Sequence, residues 1–209
     1  MTLIMLRPLR LLCLTLLALL THAVAVAQAS GAPFVFVEDK KDESGLDLAW
    51  WAQDSTIRPM GKHVSGVPLK QLNEKVGDGS WCYAAAFEPR SFVSASRRVQ
   101  AEIDTTMREA RTPLFTASGP FTGGVQLNAV VGSYEGCDGT IGTFILITDK
   151  AGPQPNVVYV EAFSKWQGLA WIAYEADGLT LSSCFECGHL QRLYYDKTRK
   201  RFYSVNEGE

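Results

Sequence analysis

From Gly123 onward the chain is a succession of short strand signals separated by turn residues, and this pattern limits the fold more than any other feature. Val125, Leu127, Ala129 and Val131 alternate with polar or small residues, as a strand with one buried face requires. Ile141 to Thr148, Asn156 to Phe163 and Leu169 to Glu175 are apolar on both faces, which marks them as central strands. Leu179 to Cys184 follows, joined to its predecessor by Asp177-Gly178, a strong hairpin dipeptide. Leu190 to Tyr195 and Arg201 to Val205 flank a polar hairpin tip. Strand starts separated by about 10 to 15 residues, with turn chemistry between them, describe an antiparallel meander, either an open sheet or a barrel.

The preceding half is more mixed. Phe34 to Glu38 is strand-like, a charged connector runs from Glu38 to Glu43, and Leu46 to Trp51 is a second strand candidate. Gln53 to Pro68 reads as loop because of its Pro and Gly, followed by a short helix, Leu69 to Lys75, and a strand, Trp81 to Phe87. Ser94 to Arg111 carries the clearest helical signal. Val99, Ile103, Met107 and Ala110 recur at spacings that share one helical face, Ser94 or Ser96 caps the start, and Thr112-Pro113 stops it. The expected fold is therefore a β-rich α+β single domain, an antiparallel meander with one main helix near residues 94–111.

Residues 1–29 read as a cleavable secretory signal peptide. Arg7 and Arg10 supply the basic start, Leu11 to Leu20 the apolar middle, and Ala27-Gln28-Ala29 the small-residue cleavage site before Ser30. The apolar run, interrupted by Thr21 and His22, falls short of the roughly 20 residues of a spanning helix. Residues 30–209 are thus expected as one exported domain with no membrane span, periplasmic or secreted. No Asn-x-Ser/Thr sequon occurs, which fits a bacterial export route. Loss of two arginines with the leader leaves 18 basic against 22 acidic residues, a net charge of −4. That mild acidity gives no case for nucleic acid or an anionic membrane surface as partner.

Export also decides how the cysteines read. Cys82, Cys137, Cys184 and Cys187 form an even set in an oxidising compartment, hence two disulfides, with Cys82–Cys137 and Cys184–Cys187 the favoured pairing. Cys184-Phe-Glu-Cys187-Gly-His189 has the spacing of a redox dithiol, but a strand signal follows where a thiolate-stabilising helix start would be needed. Zinc would need a second such pair, and none exists. His63-Val-Ser65 sets a base beside a hydroxyl without a nucleophile-elbow motif. Glu135 with Asp138, and Glu161 with Glu175, are the conceivable carboxylate pairs for hydrolysis. No catalytic residue, metal or cofactor is assigned. The distinctive surface is Tyr194 to Tyr203, in which Arg199, Lys200 and Arg201 form a basic cluster bracketed by aromatics; with Trp166, in a polar turn, these are the expected partner contacts. The function that follows is a non-enzymatic binding module of the bacterial envelope, its partner another envelope or secreted protein or a small ligand. The alternative is an envelope enzyme, either a carboxylate hydrolase or a thiol-disulfide oxidoreductase using Cys184 and Cys187.

Overall fold

Strands form where the apolar alternation demands them, and two of them need cover on both faces. The structure, a computed structural model, describes residues 34–36, 57–77, 80–88, 101, 104–105, 107–108, 113–149, 155–164, 171–175, 178–182 and 190–207. All lie within Pro33–Glu209, which groups as one compact unit. The proposed leader, the Leu46 to Trp51 strand candidate, Trp166, Cys184, Cys187 and His189 fall outside the described residues.

In chain order, β1 (Phe34–Phe36) pairs antiparallel with β2 (Ile57–Pro59). A tight hairpin of β3 (His63–Val64) and β4 (Val67–Pro68) turns at Ser65-Gly66, where both residues have positive φ, 49° and 85°. Glycine is the natural occupant of such a turn position. Helix α1 (Leu69–Val76) follows directly and buries Leu69 and Leu72. Then come β5 (Trp81–Ala86), β6 (Thr116–Gly119), β7 (Leu127–Gly136), β8 (Ile141–Asp149) and β9 (Val157–Phe163), which form one antiparallel sheet. Its order is β5-β7-β8-β9, with β6 pairing the first half of β7 while β5 pairs the second. The second sheet is an uninterrupted meander of β10 (Trp171–Glu175), β11 (Gly178–Ser182), β12 (Leu190–Asp196) and β13 (Arg201–Glu207).

The two sheets do not close into a barrel; they share a core. Ala129 and Val131 of β7 and Ile145 and Ile147 of β8 meet Ile172, Leu179, Leu181, Leu193 and Phe202 of the second sheet. On the other face of the first sheet, Phe144 and Leu146 of β8 meet Trp81, Ala84, Tyr134 and the Val64, Val67, Leu69 and Leu72 side chains of the β3–β4 hairpin and α1. Successive residues of β8 therefore feed opposite cores, which explains its unbroken apolar sequence.

Two expectations change. Asn156 to Phe163 and Leu169 to Glu175 read as central strands, yet β9 and β10 each end a sheet. β9 is apolar on both faces because both of its faces are covered. Tyr159 and Phe163 pack on the shared core and Val157, Val160 and Ala162 on the other. The seams are held by polar links. Glu161 of β9 accepts hydrogen bonds from the Tyr159 hydroxyl at 2.6 Å and from the Ser204 hydroxyl of β13 at 3.1 Å. On the opposite side the Ile172 N–H donates to the Leu114 carbonyl at 2.7 Å. The stretch 53–68, read as loop, contains β2, β3 and β4, and β6 was not anticipated because Thr-Ala-Ser-Gly has little intrinsic strand character. In the expected helix, Ala101, Asp104, Thr105, Met107 and Arg108 are helical, and Met107 packs on the shared core.

Helix α1 is tied down by one side chain. Asn73 donates to the Trp81 carbonyl at 3.1 Å and accepts from the Trp81 N–H at 2.9 Å, substituting for a neighbouring strand. Asn73→Ala strands both backbone groups in a partly buried position and is expected to lower stability by about 1–3 kcal/mol in urea unfolding. The Tyr159 phenol supplies a second test. Burial, then its bond to the Glu161 carboxylate and that charge, push its pKa well above the ordinary 10.0. The folded state therefore holds this proton more tightly than the unfolded chain does. The associated stability is complete below pH 10 and is lost as pH rises above that value. Thermal unfolding followed from pH 8 to 11 should show an alkaline decline that Tyr159→Phe makes shallower.

Candidate functional site

The β12–β13 hairpin sorts its side chains by strand parity. Leu193 and Phe202 enter the shared core, so their chain neighbours Tyr194 and Tyr203 point to the outside. These two tyrosines are directly paired across the strands, and their rings stack at 5.7 Å between centroids and 29° between planes. Tyr203 is 45% exposed and its strand neighbour on the same face, Val205, 40%. One further cross-strand step brings Asp196 opposite Arg201.

The tip is a closed turn. The Asp196 Oδ1 accepts the N–H of Thr198 at 2.8 Å and of Arg199 at 2.9 Å, and Lys200 takes the left-handed conformation, φ 52°. With its carboxylate committed to the turn backbone, Asp196 shapes the tip more than it neutralises it. Arg199 Nε lies 3.7 Å from Asp196 Oδ2, but its side chain is 67% exposed, and such a pair is worth about 0–1 kcal/mol. Lys197, Arg199, Lys200 and Arg201 are all exposed. The result is a dense cationic tip continuous with an aromatic outer face, on a chain whose total charge is negative.

The other sequence candidates separate. Cys82 and Cys137 are bonded to each other, S–S 2.06 Å, joining β5 to the β7–β8 turn. Of the carboxylates, Asp138 is occupied by Thr140, whose N–H and hydroxyl both donate to it at 2.9 Å and hold its pKa below the usual carboxylate range. Glu135 sits opposite Tyr83 in the ladder, away from that turn bond network. Glu161 is bound between Tyr159 and Ser204, while Glu175 lies on β10, at the far side of the second sheet, 3.6 Å from Arg192. Glu161 and Glu175 therefore belong to strands of different sheets and bind different partners. His63 and Ser65 are both exposed on the β3–β4 hairpin, with no hydrogen bond between them. Among the described residues no group of three or more His, Cys, Asp or Glu side chains is gathered as a metal site would require. Nor is any described helix long and apolar enough to cross a membrane.

Comparison with protein families, with curated proteins and with solved structures found no match.

Sequence reasoning found the basic cluster but not a cleft at the opposite end of β7, of about 370 Å³, lined by Trp81, Tyr134, Cys137 and Asp138 among others. The signal was present: a Cys82–Cys137 bond necessarily gathers the residues beside each cysteine, Trp81 on one side and Tyr134 and Asp138 on the other. The bond closes a loop with a sequence separation of 55, so removing it as Cys82→Ser/Cys137→Ser should cost about 4 kcal/mol by the chain-entropy estimate. Denaturant unfolding with and without reductant measures this, and reductant should have little effect on the double variant's unfolding through this bond.

Proposed function

We propose that this protein is an exported, disulfide-stabilised binding module that performs no catalysis and attaches, through its β12–β13 hairpin, to an acidic polymer of the bacterial envelope. One observation carries the reading: exposed Lys197, Arg199, Lys200 and Arg201 crowd the tip of the hairpin whose outer face carries the stacked Tyr194–Tyr203 pair. Cations attract carboxylates or phosphates along a polymer, and aromatic faces take up the flat apolar sides of sugar rings. Solvated basic tips also discourage edge-to-edge strand pairing, but that role does not call for an aromatic pair beside them. The secretory leader and the Cys82–Cys137 bond support an oxidising destination, periplasmic or external, and the same setting favours a Cys184–Cys187 disulfide over a redox dithiol. Trp166 belongs to the proposal as a second contact.

Retention of the exported protein on an immobilised uronic-acid polymer tests it. Binding should fall steeply between 0.1 and 1 M salt, as the screening length shrinks from about 10 to about 3 Å. Joint replacement of Arg199, Lys200 and Arg201 by Ala should weaken it by about tenfold or more. Trp166→Ala should weaken it at unchanged salt slope. Retention that is indifferent to salt and to these four residues overturns the hairpin as the contact surface.

A further inference from the structure

The cleft beside the disulfide has the chemistry of a small-ligand site. Its floor is the aromatic pair Trp81 and Tyr134, stacked at 4.6 Å and 12° and backed by Phe144 at 5.2 Å from Trp81. Both rings are nearly buried, 3% and 6% exposed, so the cleft meets only their edges. Tyr134 lies across Gly142, its cross-strand partner; a Cβ at Gly142 would stand 2.6 Å from the ring, so glycine there is what lets the tyrosine lie flat. Around this floor stand the hydroxyls of Ser80, Thr140 and Ser164 and the carboxylate of Asp138. Among the described residues nothing hydrogen-bonds the hydroxyls of Tyr134, Ser80 or Ser164. Among the described residues no lysine or arginine lines the cleft.

The walls are preformed. The Cys137 N–H donates to the Ser80 carbonyl at 2.9 Å, the Gly136 N–H to the Thr140 carbonyl at 2.7 Å, and the disulfide holds this turn against β5. Asp138 is fixed by Thr140 through one bond to each oxygen, which leaves further acceptor capacity on both. A volume of about 370 Å³ falls within the roughly 300–1,000 Å³ of small-ligand pockets.

We infer that this cleft binds an amine-bearing sugar, its ammonium on Asp138, its hydroxyls on Ser80, Tyr134 and Ser164, and its apolar ring face against the Trp81–Tyr134 edge. The Asp138 carboxylate selects a cation, the surrounding hydroxyls select a polyol, and the aromatic floor selects a body with an apolar side. The site is separate from the hairpin. The tip packs near Gly123, before the start of β7, whereas the cleft lies at the end of β7, a strand of 10 residues, about 33 Å long.

Calorimetric titration with a glucosamine dimer near neutral pH, using the protein expressed with its leader and purified oxidised, tests the inference. Saturable binding with a Kd in the millimolar range or tighter is expected. Asp138→Asn, which keeps an acceptor for the Thr140 N–H, should weaken it about tenfold. Tyr134→Phe, which keeps the stacked ring, should weaken it roughly fivefold. The N-acetylated dimer should bind about tenfold less tightly than the amine to the native protein and equally to the native protein and Asp138→Asn. Absence of binding, equal affinity of the native and Asn forms for the amine, or equal binding of propylammonium each overturns it. Joint replacement of Arg199, Lys200 and Arg201 should leave this titration unchanged, so the fate of the hairpin reading does not decide it.

Discussion

The fold depends on β8 being buried on both faces. Gly142 through Thr148 are all buried, and alternate residues serve two different cores. A strand of this kind is stable only if something apolar is laid on each side of it. One side is met by the second meander, β10–β13. The other is met by less regular means, the β3–β4 hairpin and the short helix α1, which present Val64, Val67, Leu69 and Leu72. The same demand explains why β9, although terminal in its sheet, is written in apolar residues, while β10 packs Trp171 and Ile172 on the shared core. Each sits at a seam where two layers meet.

The irregular side then requires adjustments in the sheet itself, and these converge on Cys82. Trp81 pairs with Gly136 and Tyr83 with Glu135, so Cys82 is an extra residue, a bulge. Without it Trp81 and Ala84, three residues apart, would face opposite sides; with it both enter the same core. The bulge costs a ladder position, and the freed Cys82 carbonyl is taken by the Lys62 ammonium at 2.5 Å, which also lies 3.8 Å from the Tyr83 ring centroid. The side chain of the bulged residue is spent on the disulfide. One extra residue thus aims a tryptophan inward and a cysteine at the β7–β8 turn, and together they make the wall and floor of the cleft.

Much of the β architecture was legible because hydrophobic periodicity survives wherever burial is asymmetric or complete. The bounds expected for β8 and β9 and for the β10–β13 meander differ from the structure by two residues or fewer at nearly every end. What escaped was written in other terms. β6 is made of small residues and exists because β7 offers it a partner. The β3–β4 hairpin depends on the left-handed tolerance of Ser65-Gly66, inside a stretch whose Pro and Gly content reads as loop. Edge and centre could not be told apart because a seam strand and a central strand have the same composition. The basic tip was visible as a run of charges, but its union with stacked Tyr194 and Tyr203 depends on register, which four intervening turn residues set only through Asp196. The cleft needed the cysteine pairing together with the bulge, and a bulge leaves no composition of its own.

Placement of the two candidate sites follows from this construction. A sandwich of short strands offers for recognition its loops, at the two ends, and whatever outer face no layer covers. The outer face of the first sheet is covered by α1 and the β3–β4 hairpin, so its binding chemistry is confined to the end where the disulfide fixes a turn. The β12–β13 part of the second sheet keeps its outer face open at Tyr203 and Val205, so its chemistry can spread from the tip along the strands. A hydroxyl-lined cleft beside a carboxylate suits a single small unit, and an open cationic ribbon suits an extended chain. On the proposed readings, a module bearing both would hold an acidic polymer along the hairpin while reading one amine-bearing residue at the other end. The disulfide, by fixing the cleft turn to β5, gives that reading a rigid geometry independent of the flexible side chains at the tip.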